Sequence, residues 1–325
     1  MNDNVNGGEA FVGNSGDPFP HQPVLYQEVL NALAPQSGKH YLDGTLGSGG
    51  HAEGILLASA PSGMLLGLDL DPKALAIASQ RLFPYEERVI IRQGSYQTAD
   101  EVLQQLEWPH LHGILLDLGV SSMQIDQPDR GFSFLTNGPL DMRFDPEIGR
   151  SAADLVNETP EEALSQIIWT YGEERYARRI AKVIVAARPI NSTLTLAKVI
   201  KEAMPGYGSR IHPATRTFQA LRIATNKELE TLSSALPRLV SCLEIGGRIA
   251  VITFHSLEDR IIKQFFKRES QDCICPPEQP ICTCEHQATL QVLTKKPIRP
   301  TQEEVKENPR SSSSKLRVAE KIVEA

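Results

Sequence analysis

The glycine-rich run from Asp43 to His51, which reads DGTLGSGGH, constrains the fold of this chain more than any other segment. It follows a short apolar stretch that ends in Tyr41-Leu42, and it opens into the helix-like sequence 52–57. Glycines at a strand-to-helix turn let the backbone approach a ligand where a side chain would collide. The run therefore predicts a binding loop for a nucleotide-like cofactor.

Two acidic residues follow the next apolar stretch, which begins at Met64. Asp71 precedes Pro72, a pattern typical of an N-cap with proline at the first helical position, so we interpret Asp71 as structural. Asp69 ends the predicted strand, where a carboxylate can accept hydrogen bonds from both hydroxyls of a ribose.

The spacing of the glycines separates two classes of cofactor site. A dinucleotide fingerprint has the form G-x-G-x-x-G, whereas this chain has G-x-x-G-x-G-G after an acid at Asp43. The spacing disfavours a nicotinamide oxidoreductase. It resembles the first motif of S-adenosylmethionine-dependent methyltransferases, D/E-x-G-x-G-x-G, except that Thr45 stands where the first motif glycine is expected.

Strand and helix patterns alternate through the first third of the chain, which predicts a parallel sheet with helices on both faces and hence an α/β fold. The predicted strands are 40–43, 64–69, 88–92 and 112–117, and helical patterns cover 74–82 and 98–106. The next strong strand pattern, 247–254, lies far downstream.

Helical periodicity fills the interval before that strand, at 151–156, 160–169, 175–187 and 194–204. The interval is too long for a crossover and too ordered for a loop. We therefore predict a helical domain, 126–216, inserted into a sheet domain made of 21–125 and 217–325. A long helix over 217–242 is expected to lead back to the sheet.

In the C-terminal part, strands at 289–295 and 315–322 are expected to form a hairpin-like edge, with a helix between them that begins at a capping-box pattern, Thr301 and Glu304. At the other end, residues 1–20 are polar and glycine-rich without a signal-peptide pattern, so we expect a disordered lead-in and a cytoplasmic protein. No stretch approaches the length of a membrane span.

Charge is unevenly distributed along the 325 residues. The net charge is −7, yet residues 170–225 carry ten Lys or Arg against three Glu, a local excess of +7. Such a segment can bind phosphates whatever the charge of the whole chain. Arg175, Arg178, Arg179 and Lys182 fall at helical spacing, so we expect some of them to share a face that grips an RNA backbone. A solvated helix face is the alternative.

Four chemically active side chains end predicted strands: Asp43, Asp69, Asp117 and His255. Each alone is typical of a cap or a turn. In an open α/β sheet, however, ligands bind outside the carboxyl ends of the strands, so the four together favour one shared cleft.

Eight blocks in order resemble those of the bacterial 16S rRNA cytosine-N4 methyltransferase family, RsmH or MraW. The blocks are HQPVL at 21–25, DGTLGSGGH at 43–51, DLGVSS at 117–122, RGFSF at 130–134, GPLDMR at 138–143, YGEER at 171–175, HPATRTFQA at 212–220 and FHSLEDR at 254–260. The resemblance covers roughly residue 21 to the end of the chain.

The resemblance implies a Rossmann-like methyltransferase domain with an all-helical insert. It implies transfer of a methyl group from S-adenosylmethionine to the exocyclic N4 of a cytidine in the decoding region of 16S rRNA, in the small ribosomal subunit. The implied cofactor residues are Gly49, Gly50 and His51 along the methionine part, Asp69 at the ribose, Tyr96 at the adenine, and Asp117 and Gln124 at the methyl-transfer end. An aromatic ring can cover a planar base, which agrees with Tyr96, although a core tyrosine is the alternative.

Cytosine N4 is a poor nucleophile because its lone pair is delocalised into the ring. The enzyme must align the amine with the sulfonium methyl and accept hydrogen bonds from it as charge develops, and Asp117 is our candidate for that role. Many amino-methyltransferases carry D/N/S-P-P-aromatic at this point, whereas this chain reads DLGV. Stacking of the base must therefore come from elsewhere, with Phe132 and Phe134 as candidates and buried positions as their default.

His255 is the second catalytic candidate, as a substrate contact or proton relay, with a structural strand-end histidine as the alternative. The target base must be unstacked to reach a cleft. Arg216 joins the four basic residues named above as a predicted RNA contact. The rival hypotheses are a non-catalytic RNA-binding or assembly factor, and a methyltransferase acting on DNA or on another RNA position. The oligomeric state, a homodimer included, is left open.

Four of the five cysteines form a C-x-C…C-x-C pattern: Cys273, Cys275, Cys282 and Cys284. Four cysteines can make a tetrahedral zinc site, and a cytoplasmic setting disfavours disulfides. The usual zinc pairs are C-x-x-C, however, so the sequence leaves a structural metal and reduced thiols equally open. It assigns no metal to catalysis. Cys242 is expected to be a buried helix residue.

Overall fold

The computed structural model describes residues 23–204, 212–279 and 281–323. Three parts of the predictions lie outside the described residues: the lead-in, His21 of the first sequence block, and Arg210, one of the ten cations counted in residues 170–225. Seven strands form one sheet in the order β3-β2-β1-β4-β5-β7-β6, with β7 antiparallel to both of its neighbours. The strands are β1 His40–Asp43, β2 Met64–Asp69, β3 Val89–Gln93, β4 Leu111–Asp117, β5 Leu243–Thr253, β6 Leu290–Val292 and β7 Lys315–Lys321.

Helices pack on both faces of this sheet, which confirms the α/β prediction. The described α-helices of the sheet domain are α1 Tyr26–Leu33, α2 Gly50–Ala58, α3 Pro72–Leu82, α4 Ala99–Gln105 and α5 Ser122–Asp126. Between α5 and β5 follow α6 Ala152–Glu158, α7 Glu161–Gly172, α8 Ala177–Ala186, α9 Thr193–Ala203, α10 Thr215–Asn226 and α11 Glu228–Ser241. The last two are α12 Ser256–Glu269 and α13 Gln302–Glu307.

The apolar runs of the central strands supply two layers of core. In β4, Ile114 and Leu116 join the cluster packed under α4, α11 and α12, whereas Leu115 joins the cluster under α1, α2 and α3. Successive side chains of a strand point to opposite faces, so a continuous apolar run is what a strand covered on both faces requires.

Helices α6–α10 enclose a third apolar cluster of their own. Phe218 and Leu221 of α10 belong to this cluster, whereas Leu232 and Leu236 of α11 pack against the sheet. We call α6–α10 the helical segment. The predicted boundary between residues 216 and 217 falls inside α10, whose apolar side chains pack in the core of this segment.

The predicted long helix over 217–242 is wrong. The helix is interrupted at Lys227, which has a φ of 51° and separates α10 from α11. The Asn226 side chain accepts a hydrogen bond from Phe144 N (2.8 Å) and donates one to Met142 O (2.8 Å). These bonds fix the corner against the loop before α6, and Pro237 is accommodated inside α11.

The tail forms the predicted antiparallel pair, but only β6 lies at the edge, because β7 inserts between β5 and β6. Thr301 caps α13 by accepting from Glu304 N (3.1 Å). The Glu304 carboxylate does not complete a capping box and instead accepts from Leu25 N (2.8 Å). The tail is thus tied to the start of α1.

Asp71 caps α3 as predicted, accepting from Lys73 N (3.0 Å), and it also has a second role. Its Oδ2 accepts from the Arg130 guanidinium and from Gln124 Nε2 (2.9 Å). Arg130 donates further to the carbonyls of Arg143 and Phe144, both at 2.9 Å. This buried ion pair joins the β2–α3 loop to the start of the helical segment.

Replacing Arg130 with alanine should lower the free energy of unfolding by about 3–5 kcal/mol, because it leaves the buried Asp71 carboxylate without its partner. Chemical denaturation of wild type and variant measures the difference. Lys73→Ala is the matched control, since the Lys73–Asp129 pair (3.1 Å) is more than half exposed and should be worth about 0–1 kcal/mol. Equal losses for the two variants would contradict a structural role for the buried pair.

Candidate active site

Three carboxylates lie side by side at one edge of the sheet. Asp43 ends β1, and β1 pairs with β2 on one side and β4 on the other, so that Asp69 and Asp117 flank it. The predicted convergence of these strand ends follows directly from the strand order, because parallel neighbours present their carboxyl ends at the same edge.

The glycine loop between β1 and α2 is shaped for close approach. Gly47 and Gly49 have φ values of 52° and 81°, in the left-handed region that favours glycine. A Cβ on Gly44 would lie 2.7 Å from Leu116 Cδ2, and one on Gly50 would lie 2.6 Å from Pro23 Cγ. No side chain caps α2 at its N-cap Gly49, so its first N–H groups are available to an anionic group.

Thr45, the departure from the methyltransferase motif, has a structural role. Its Oγ1 accepts a hydrogen bond from Asp117 N at 2.6 Å. The hydroxyl therefore ties the loop to the end of β4, a bond that glycine cannot make.

Asp69 orients the same loop from the other side. Its Oδ2 accepts from Gly47 N (2.7 Å) and its Oδ1 accepts from Asp71 N (2.9 Å). Burial raises the pKa of this carboxyl against those hydrogen bonds. Each oxygen keeps a lone pair, so the ribose role of Asp69 stays a prediction that this geometry permits.

The pKa values of the other two carboxyls, Asp43 and Asp117, are raised. Burial, assisted by the charge of Asp69, raises the pKa of Asp43 to about 7. Burial and the charges of Asp43 and Glu258 raise the pKa of Asp117 to about 8. Asp117 Oδ1 is buried without a hydrogen-bond partner among the described residues. A cation beside these carboxylates would offset the free-energy cost of burying their charges and would reduce the repulsion between them.

His51 lies beside Asp117 without neutralising it. The separation of His51 Nε2 and Asp117 Oδ2 is 3.8 Å, and burial lowers the pKa of His51 to about 4. The imidazole is therefore neutral at physiological pH. It packs along the ring of Tyr26, with centroids 6.1 Å apart.

Tyr96 and Gln124 occupy different surroundings. Tyr96 follows β3 in a short 3₁₀ turn, half-buried against the core and beside Gly44. The Gln124 side chain donates to Asp71 and accepts from Ser121 N (3.1 Å) as part of a capping box on α5. Its polar atoms already serve the protein, and the cofactor roles of both residues stay predictions.

His255 is a helix cap. Its Nδ1 accepts from Glu258 N (3.4 Å), its Nε2 lies 3.0 Å from Glu258 Oε1, and Glu258 Oε2 accepts from Phe254 N (2.9 Å). Burial works to raise the pKa of Glu258, but its bond with His255 and the charge of Arg222 lower it overall. Glu258 is therefore the neighbour of both ring nitrogens, but His255 Nε2 is buried without a hydrogen-bond partner among the described residues, and its catalytic role stays a prediction.

Sequence reasoning missed the charged residues around Glu258, the residue that contacts His255. Arg222 makes a two-pronged ion pair with Glu228, at 2.8 and 2.9 Å, and their charges act on Glu258. The H-x-x-E spacing of His255 and Glu258 is an available signal for the cap. No local sequence pattern, however, links His255 or Glu258 to Arg222.

The predicted RNA-binding residues divide into two groups. Arg178, Arg179 and Lys182 are exposed on α8, whose Ile180 and Ile184 are buried, and Arg175 is exposed just before the helix. No ion pair joins these four to any described residue. Arg216 is half-exposed and lies 3.7 Å from the buried Glu174. Its charge therefore has an internal partner, as does that of Arg222.

Phe132 and Phe134 are only partly buried, and both pack on the core of the helical segment. Phe134 contacts the rings of His212 and Phe218, with centroids 4.7 and 4.8 Å apart, and Phe132 lies beside Phe144 at 5.8 Å. The default packing role is thus present, and base stacking stays a prediction for both.

Comparison with known proteins identifies the family. The family model of the MraW methylases matches residues 18–322. The chain belongs to the MraW methylase family. A relative from Geobacter sp. is 52% identical over 311 residues, covering 94% of this chain and 100% of its own, and one from Dehalococcoides mccartyi is 49% identical over 306 residues, covering 94% and 88%. Both are named ribosomal RNA small subunit methyltransferase H.

Solved structures agree only loosely. An rRNA methylase from Streptococcus thermophilus aligns over 92% of this chain and 94% of its own, at 11% identity and a TM-score of 0.40, which is too weak a likeness to support an argument. Within the described residues, no helix combines the length and the apolar character that crossing a membrane would need.

Family membership makes this chain an S-adenosylmethionine-dependent methyltransferase, as the sequence predicted. The residues at the strand ends fit that cofactor chemically. A sulfonium is a cation, and Asp117 Oδ1 is a buried acceptor without a partner. The cofactor also carries a carboxylate, which suits the uncapped start of α2, and a ribose, which suits the free lone pairs of Asp69.

Proposed function

We propose that this MraW-family methyltransferase transfers a methyl group from S-adenosylmethionine to the exocyclic N4 of one cytidine in the decoding region of 16S rRNA. The names of the relatives support small-subunit rRNA as the substrate. The observation that carries the choice of acceptor is Asp117, an unpartnered carboxylate oxygen at the end of β4, beside the glycine loop.

The cofactor supplies an electrophilic methyl group on a positively charged sulfur. The glycine loop and the residues that end β2 and β4 would hold the cofactor. Asp43 and Asp117 stabilise the positive charge in the ground state, so their role in catalysis has to come from what they do to the amine. Only interactions that strengthen in the transition state accelerate the reaction.

Asp117 is the group whose interaction with the amine strengthens in the transition state. Its Oδ1 accepts a hydrogen bond from the N4 amine, which orients the nitrogen lone pair toward the methyl carbon. Methyl transfer would leave the C–S bonding pair on the sulfur and would make the N4 amine acidic, because the nitrogen would gain a fourth bond. Asp117 then takes the surplus N4 proton. The sulfonium charge would keep Asp117 ionised before the transfer, and once that charge has left the sulfur, the burial that raises the pKa of Asp117 would favour its protonated form.

The helical segment supplies the grip on RNA. The exposed cations Arg175, Arg178, Arg179 and Lys182 have no described acid as partner, so phosphates are free to pair with them. Backbone contacts of this kind position the strand, and the unstacked cytosine reaches the carboxylates.

Mass spectrometry of nucleosides tests the reaction. Unmodified small ribosomal subunits and naked 16S rRNA are incubated with enzyme and cofactor, then digested. We expect new N4-methylcytidine, and a loss of about 10²–10³ in rate for Asp117→Asn, as for removal of one transition-state hydrogen-bond partner. Asp129→Asn, an exposed carboxylate, should match wild type.

Three outcomes would contradict the proposal. A methylated product other than N4-methylcytidine would refute the acceptor, and full activity of Asp117→Asn would refute its role. RNA binding without any methyl transfer, while the cofactor is shown to bind, would favour the non-catalytic rival.

The double variant Arg178→Glu/Arg179→Glu should weaken RNA binding and reduce the slope of log affinity against log salt concentration, because fewer counterions are released. Filter binding at several salt concentrations gives both quantities. Lys295→Glu/Lys296→Glu is the matched control, since it changes the charge equally at two exposed neighbours beyond β6. If both double variants behave alike, only net charge matters and α8 is a solvated face.

A further inference from the structure

The loop between α12 and β6 holds four cysteines outside the active site. It is pinned to the end of α12, where Thr289 N donates to Glu269 O (2.8 Å), His286 Nε2 lies 3.2 Å from Arg268 O, and Ala288 N donates to Asp272 Oδ1 (3.2 Å). Helix α12 follows β5, the neighbour of β4 with its Asp117, and runs for 14 residues, so the loop lies about 20 Å along the helix from that edge of the sheet.

The four sulfur atoms converge on one point. The Sγ atoms of Cys273, Cys275, Cys282 and Cys284 all lie within 4.8 Å of one another. The distance from Cys284 Sγ to Cys282 Sγ is 3.6 Å, and that to Cys273 Sγ is 3.9 Å. A tetrahedral zinc ion with Zn–S bonds of about 2.3 Å separates its sulfur ligands by about 3.8 Å. These two separations match edges of such a tetrahedron, and no other pair of the four sulfurs is farther apart than 4.8 Å.

The backbone supports the sulfurs in a reciprocal pattern. Ile274, the middle residue of the first C-x-C, donates its N–H to Cys284 Sγ (3.4 Å). Thr283, the middle residue of the second, donates its N–H to Cys275 Sγ (3.5 Å). Each C-x-C thus stabilises a sulfur of the other, and such bonds orient thiolate ligands and offset their charge.

Apolar packing does not explain this arrangement. All four cysteines are exposed or only half-buried, and the side chains of Ile274 and Ile281 are 36% and 74% exposed. A long segment between α12 and β6 without a core of its own needs another source of order. A metal ion bound by the four thiolates would supply it.

We propose that Cys273, Cys275, Cys282 and Cys284 bind one Zn²⁺ in a closed, tetrahedral structural site that fixes the α12–β6 loop. With four protein ligands, the ion has no open position for water or substrate, so the site has no part in methyl transfer. The sequence left zinc and reduced thiols equally open, and the convergence of the sulfurs favours the metal.

Metal analysis of the full chain, expressed without a polyhistidine tag, tests the proposal. Elemental mass spectrometry should find about one zinc per chain in wild type and almost none in Cys275→Ser/Cys284→Ser. Cys242→Ser is the matched control, because Cys242 lies at the end of α11, away from the sulfur cluster, and it should keep its zinc. Circular dichroism establishes that the double variant is folded.

Cobalt substitution gives a second test that needs no variant. Co²⁺ added to the metal-free wild-type chain should produce the intense visible bands of tetrahedral cobalt–thiolate coordination, and Zn²⁺ should abolish them. With zinc removed, a protease should cut the loop at 272–287 while methyl transfer persists. Iron in place of zinc, zinc retained by the double variant, or a cobalt spectrum without tetrahedral bands would each overturn the proposal.

Discussion

Crowding of carboxylates at the carboxyl ends of β1, β2 and β4 is the constraint on which the site depends. Asp43 and Asp117 have pKa values of about 7 and about 8 because burial and neighbouring negative charge disfavour their ionised forms. An arrangement of this kind is costly in an empty cleft and favourable around a cation. The glycine loop is held against this edge by Asp69 of β2, which accepts from Gly47 N, and by Asp117 N of β4, which donates to Thr45 Oγ1.

The same edge connects to the helical segment through two sets of bonds. Asp71, two residues after Asp69, holds Arg130, which in turn holds the carbonyls of Arg143 and Phe144. At the other side, Glu173 accepts from Ser256 Oγ (2.6 Å) and Arg260 (2.9 Å) at the start of α12. The helical segment that carries α8 is therefore bonded to the sheet domain at two places, the β2–α3 loop and the start of α12.

Much of the fold could be predicted because its signals are local. The four strands of the first third match within one residue, since each is an apolar run ended by a polar residue, and the family followed from eight sequence blocks. The corner at Lys227 could not be predicted, because it depends on bonds from Asn226 to residues more than 80 positions away. Pro237, the local helix breaker, lies inside α11 instead.

The candidate site shows the same division. Strand-end acids and the glycine loop are readable from sequence, whereas the Asp71–Arg130 pair and the cluster of Arg222, Glu228 and Glu258 are made by tertiary contacts. The count of Lys and Arg in residues 170–225 also overstated the number of cations that are free to bind phosphate. Arg188 donates to the carbonyls of Val156 and Thr159, and Arg216 and Arg222 have acidic partners. Composition alone cannot tell an internal cation from one that is free for phosphate.

The central claim is that the carboxylate cluster recognises the positive charge of the cofactor. The direct test compares the dissociation constants of S-adenosylmethionine and of neutral S-adenosylhomocysteine from pH 6 to pH 9 by calorimetry. A cation favours the ionised carboxylates, so below a pKa of about 8 its binding must release protons. Affinity for S-adenosylmethionine should therefore rise with pH, by at most about tenfold per unit for each proton released. S-adenosylhomocysteine should change much less, and Asp117→Asn should flatten the difference. Parallel pH curves for the two ligands in the wild-type enzyme would contradict the account.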